Sequence, residues 1–219
     1  MATGLLTYEE FVRNARDLVV MSDRLGDGWE LRHVRQTDGP EETAFLVKRI
    51  CVAIAEESPV DPETPRDVGE PENIEDEDPA TLHCRGTGKL SEKTVQFEYH
   101  VIYSPSYQVP VLFFTATFHS GRLVPLKEIW KFLSPFHVTR DSGMEWESVT
   151  QQEHPIFGRP FYHLHPCHTS NVMATILTAN KHERGDRDIK NYLLSWLTIF
   201  GPTIGLNVLI DYLKIDSKT

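Results

Sequence analysis

From Thr94 to Val101 the residue type changes at every step. Val95, Phe97, Tyr99, Val101 and Tyr103 lie on one face, with Thr94, Gln96, Glu98 and His100 opposite. A period of two is what a strand with one face on a core requires, so this segment predicts a sheet with an apolar side. Candidate partners lie on both sides in sequence, at 28–35 and 43–54 before it and at 109–119 after it. Pro105 and Pro110 bracket the connection to the last of these, and Ser120-Gly121-Arg122 closes it as a turn. The spacing suggests four sequential strands in an antiparallel meander.

Helical signals surround the strands. Residues 7–25 carry Tyr8, Phe11, Val12, Ala15, Leu18 and Val19 at helical spacing. Thr7 with Glu10 forms a capping box, Leu6 is placed to staple onto Phe11, and Gly26-Asp27-Gly28 ends the run. A short helix opens at Pro125 with Leu126, Ile129, Trp130 and Leu133 on one side. Two more are expected at 169–179 and 187–200, the latter halted by Gly201-Pro202. One helix, four strands and then further helices make an α+β domain spanning 1–219.

Residues 55–92 interrupt this pattern. They hold Pro59, Pro62, Pro65, Pro71 and Pro79 among many acids and have almost no aliphatic periodicity. Such a composition buries too little apolar surface to offset its ordering entropy, so the segment reads as a disordered insertion between strands. It also locates the charge. Eleven acidic residues between Glu56 and Asp78 stand against Arg66 alone, which accounts for the whole formal net charge of −10. The remainder is close to neutral and carries no footprint for nucleic acid. With 219 residues, 40% hydrophobic and 25% charged, the chain has the make-up of an ordinary globular protein. No apolar run reaches the roughly 20 residues a membrane span needs, and no secretory signal opens the sequence. Cys51, Cys84 and Cys167 are too few and too scattered for a disulfide framework, so a cytoplasmic, reducing location is expected.

Chemistry concentrates at Gly158-Arg-Pro-Phe-Tyr-His-Leu-His-Pro-Cys-His-Thr-Ser170. Pro166 shapes the backbone just before Cys167. Thr169 or Ser170 is a good N-cap for the helix that follows, which sets Cys167 ahead of a helix N-terminus, where a thiolate is favoured over a thiol. His163, His165 and His168 crowd the same turn and can hold protons near neutral pH. Two readings of Cys167 stand open on these grounds, a nucleophile and a small buried core residue. Cys51, within an apolar strand, and Cys84, within the insertion, read as inert. The histidines with Cys167 suggest a metal set, but the paired Cys-x2-Cys spacing of structural zinc and the deaminase pattern are both missing. No phosphate-binding glycine loop is present.

The blocks Tyr99-His-Val-Ile-Tyr-Ser-Pro-Ser-Tyr-Gln-Val-Pro-Val-Leu-Phe113, Gln151-Gln-Glu-His-Pro-Ile-Phe-Gly158, Leu164-His-Pro-Cys-His-Thr169 and Ser195-Trp-Leu-Thr-Ile-Phe-Gly-Pro-Thr-Ile-Gly-Leu-Asn207 occur in this order. In this the chain resembles the autophagy E2-like conjugating enzymes, most closely the autophagy-related protein 10 family, everywhere except 55–92. The resemblance implies an E2-like fold (the ubiquitin-conjugating-enzyme fold) and an acyltransferase without cofactor or metal. It implies Cys167 as the residue that receives the ubiquitin-like autophagy-related protein 12 as a thioester from an E1-like activating enzyme. The modifier would then pass to a lysine of autophagy-related protein 5, in support of autophagosome formation. Ordinary ubiquitin carriers have His-Pro-Asn ahead of the cysteine; here the counterpart is His154-Pro155-Ile156, and Ile156 has no side-chain donor. His165 and Tyr103 are candidates for the missing support, either polarising the thioester carbonyl or taking the proton of the attacking lysine. A docking module without catalysis, a cysteine hydrolase and the sister carrier that conjugates to phosphatidylethanolamine are the alternatives.

Overall fold

The computed structural model describes residues 3–35, 42–53, 94–133, 149–184, 192–209 and 211–212. The insertion at 55–92, with Cys84, lies outside the described residues, as does the expected helical stretch 187–191. The described chain runs α1 (Tyr8–Leu25), β1 (Trp29–Arg35), β2 (Glu42–Ala53), β3 (Thr94–Ser104), β4 (Val109–Phe118), α2 (Leu126–Leu133), β5 (Val149–Glu153), β6 (Pro160–Leu164), α3 (Thr169–Arg184) and α4 (Tyr192–Phe200), followed by a 3-10 turn over Gly201–Ile204.

α1 begins where its signals place it. The Thr7 side chain accepts from the Glu10 N–H, and the Glu10 carboxylate accepts from the Thr7 N–H, so two orphan donors of the first turn are satisfied reciprocally. Gly26 ends the helix at φ +64°, the left-handed conformation that an ordinary side chain resists. Phe11, Ala15 and Leu18 face inward and are buried, as is Leu6 just ahead of the cap. Burying each large apolar side chain of this kind contributes about 1.5–3 kcal/mol.

β1 to β4 form the expected antiparallel meander. The sheet itself is larger than four strands. β6 pairs with β4 and β5 with β6, giving six strands in the order β1-β2-β3-β4-β6-β5. The two extra strands escape a pattern search for a physical reason. β5 reads Val-Thr-Gln-Gln-Glu, an edge strand exposed everywhere but Val149, and so carries no apolar alternation. α3 runs on past 179 to Arg184, and α4 stops at Phe200 ahead of Gly201-Pro202.

Both faces of the sheet are used. On one, Phe97 stands opposite Ala116, Tyr99 opposite Phe114, and Val101 between Leu46 and Leu112. These join Phe11 and Leu18 of α1, Ile129 of α2, Met173 of α3 and Tyr192, Leu193, Trp196 and Leu197 of α4 in the main core. The opposite face holds a smaller cluster of Phe45, Val47, Ile102, Val111, Phe113 and Phe161. The turn between β5 and β6 folds back over that face and brings Ile156 against it.

Candidate active site

The order β4-β6 places the end of β6 in the middle of the site. Leu112 pairs with Leu164 and Phe113 with His163, so the chain leaves the sheet at His165 and Pro166. Cys167 and His168 then make a turn into α3, whose Thr169 N–H donates to the Pro166 carbonyl at 3.0 Å. The first helical bond runs from the Val172 N–H to the His168 carbonyl. His168 is therefore the residue before the helix. Thr169, expected as a cap, is instead the first helical residue and is buried.

Cys167 is exposed, which decides against the core reading of this residue. Its backbone N–H donates to Nδ1 of His165 at 3.2 Å. A ring nitrogen that accepts carries no proton, so the His165 hydrogen sits on Nε2. His165 is exposed, and Tyr107 meets its ring edge-on at 6.0 Å between centroids. His163 is different. It is buried against Phe113, ring to ring at 4.7 Å, and burial lowers its pKa to about 4. Its Nδ1 finds no hydrogen-bond partner.

A depression of about 270 Å³ opens beside this turn, walled by Tyr103, Tyr107, Phe113, His163, His165 and Pro166 among others. Tyr103 thus borders the site together with His165. Its hydroxyl, however, donates to the Leu6 carbonyl at 2.8 Å, and its ring packs on Tyr8 and Phe11. Burial raises its pKa, with Glu9 and Glu10 adding to the effect. Tyr107 is a wall residue that the sequence pattern does not single out. It lies in the connection between β3 and β4, and the positive φ of Gln108 that follows it, +53°, shapes that turn.

His154-Pro155-Ile156 adopts an arrangement of its own. His154 Nδ1 accepts from the N–H groups of Ile156 and Phe157, and its Nε2 meets His100 Nδ1 at 2.9 Å. Ile156 is packed on the outer cluster, and Pro155 borders the depression. Ile156, read from the sequence as standing where an ordinary carrier has asparagine, is thus committed to that cluster. Cys51 is exposed on β2. Among the described residues no group of three or more His, Cys, Asp or Glu is placed to hold a metal ion, and no helix is long and apolar enough to cross a membrane.

An exposed cysteine between a sheet and a helix N-terminus, on an α+β domain with helices on one sheet face, fits the class of E2-like conjugating proteins. Residues 10–210 match the family model described as autophagocytosis associated protein, active-site domain. The human protein named ubiquitin-like-conjugating enzyme ATG10 is 36% identical over 95% of this chain and 92% of its own length. Its namesakes in Dictyostelium discoideum and Arabidopsis thaliana are 42% and 31% identical over 54% of this chain, covering 54% and 52% of their own lengths. The chain belongs to the ATG10 family of autophagy E2-like enzymes.

Proposed function

We propose that the chain accepts the ubiquitin-like autophagy-related protein 12 as a thioester on Cys167 and transfers it to a lysine of autophagy-related protein 5. The exposure of Cys167, next in the chain to His165 and Pro166 of the depression wall, supports this most directly. In the first step the Cys167 sulfur attacks the thioester carbonyl presented by an E1-like activating enzyme, and the activating enzyme's thiolate leaves. In the second, the ε-amine of the acceptor attacks the new thioester. The C–N bond forms, the C–S bond breaks, the Cys167 thiolate departs, and the proton lost by the amine passes to that thiolate or to water.

An oxyanion forms on the carbonyl in both steps and needs a donor. The Cys167 N–H is already given to His165, so it does not serve. The Nε2–H of His165 is a polar group beside Cys167 that this bond leaves available, which supports His165 as the polarising residue. Tyr103 supports the site from its wall, with its hydroxyl hydrogen committed to Leu6. Incubation with activating enzyme, modifier and ATP, followed by a non-reducing gel, tests the assignment. A reducible adduct appears with wild type and is absent from Cys167→Ala, while Cys167→Ser gives an adduct that resists reductant. Loss of the adduct in Cys51→Ala or Cys84→Ala, with Cys167→Ala still charged, overturns the choice of sulfur.

A further inference from the structure

The short segment ahead of α1 touches both walls of the site. Gly4 is buried at φ +68°, and a Cβ placed there would lie 1.9 Å from the Ser170 carbonyl oxygen and 2.6 Å from the Ala174 nitrogen. Those two atoms belong to the first turns of α3, the helix that starts two residues after Cys167. The Gly4 carbonyl accepts from the buried Tyr192 hydroxyl at 2.7 Å, which ties the same residue to α4. Two residues on, the Leu6 N–H donates to the Gln108 carbonyl at 2.8 Å, and the Leu6 carbonyl accepts from the Tyr103 hydroxyl. Gln108 follows Tyr107, whose ring rests against His165. Leu5, between the two anchors, is exposed.

From this we infer that the backbone anchors at Gly4 and Leu6 form a positioning clamp for the transfer reaction, holding the start of the cysteine-bearing helix turn at a fixed distance from the Tyr107 wall, with Gly4 as its critical residue. The inference rests on the reading of Cys167 as the reacting sulfur. The physical reason is the close approach. Two backbones meet at Gly4 with no room for even one methyl group, so a side chain there must displace the first turn of α3 or lift the segment off it. Either movement changes where Cys167 stands relative to His165 and Tyr107. A reacting group misplaced by about 1 Å loses about two orders of magnitude in rate. Tyr103 acts through the same segment, as a positioning residue that holds the Leu6 end.

The test compares Gly4→Ala, Tyr103→Phe and Leu5→Ala in the full chain, each shown folded by circular dichroism well below its melting temperature. Alkylation of Cys167 by iodoacetamide across the pH range, followed at that residue by peptide mass spectrometry because Cys51 is exposed too, reads the local geometry without any partner. Charging by the activating enzyme is measured in parallel as kcat and KM. Gly4→Ala should change the alkylation profile and lower kcat by about one to two orders of magnitude with KM unaltered. Tyr103→Phe should lower kcat by about two- to tenfold, the factor one net hydrogen bond carries. Leu5→Ala should match wild type. A folded Gly4→Ala protein with wild-type alkylation and kcat overturns the clamp, as does an effect confined to melting temperature. Alkylation distinguishes this failure from that of the transfer reading, because it is measured with modifier and activating enzyme both left out.

Discussion

Nδ1 of His100 stands 2.9 Å from Nε2 of His154, and both imidazoles are sealed from water at 1% and 0% exposure. The hydrogen bonds on either side fix where every proton sits. Ile156 and Phe157 donate to His154 Nδ1, so His154 carries its hydrogen on Nε2 and gives it to His100. His100 then holds its own on Nε2, 3.1 Å from the Glu98 carboxylate. The hydrogen bond from His100, with further help from Arg49, keeps Glu98 down at about 2 against the upward pull of desolvation. Burial brings His154 down from 6.5 to about 3. Between those two values the unfolded chain binds a proton that the folded chain refuses, so stability falls as pH falls. Melting temperature should decline steadily from about pH 6.5 towards pH 3, with Glu98 adding to the loss below about pH 4.5. His154→Gln removes one titration and should show a shallower decline from a lower start. A melting temperature that stays level across this range would contradict the arrangement.

Asp27 links the two ends of the described fold. Its carboxylate pairs with Lys48 and accepts from the Tyr212 hydroxyl at 2.7 Å, and the Asp27 and Lys48 side chains are only 8% and 7% exposed. Removing one partner of a buried pair strands the other. Asp27→Ala should therefore destabilise by about 3–5 kcal/mol in urea unfolding. Lys48→Met in the same background should recover part of the loss by removing the stranded charge.

At His165 the turn hydrogen bond and the proposed part in transfer can be separated by choice of side chain. Asn keeps an acceptor for the Cys167 N–H, whereas Ala leaves that donor to water. Single-turnover discharge to lysine should fall in His165→Ala. Retention of the turn, read from Cys167 alkylation, should be closer to wild type in His165→Asn. Equal discharge in wild type and His165→Ala would remove the residue from the chemistry.

Asn14 is buried in the middle of α1 and bridges to α4. Its amide donates to the Glu10 carbonyl, and its side-chain oxygen accepts from the Tyr192 N–H at 3.1 Å. Asn14→Leu fills similar space but leaves the Tyr192 N–H without this acceptor. Unfolding should become easier by about 1–3 kcal/mol.

α1 is legible in the sequence because cap, spacing and terminating glycine all agree, and β3 because its residues alternate from Thr94 to Val101. Cys167 stands out for its neighbours, proline before it and a helix start after it. What stays hidden depends on distant parts of the chain. His100 reads as one more polar residue of β3, and only the return of the 154–158 turn over the sheet buries it. Ile156 reads as a missing donor, whereas the fold uses it to pin that turn onto Phe45 and its neighbours. Tyr107 sits in a connector with no periodicity, and its place at the site comes from β4 pairing with β6. Gly4 gives no local signal at all, since its role is set by the helix backbone it lies on.

On the proposed reading of Cys167 as the loaded sulfur, its openness has a kinetic consequence. A cargo bonded to an exposed sulfur is within reach of water from the moment it is loaded, and spontaneous hydrolysis starts a countdown. Yield then depends on tempo, on how soon the recipient arrives relative to that background leak. Scarcity of the recipient would show itself first as wasted turnover, before any slowing of loading.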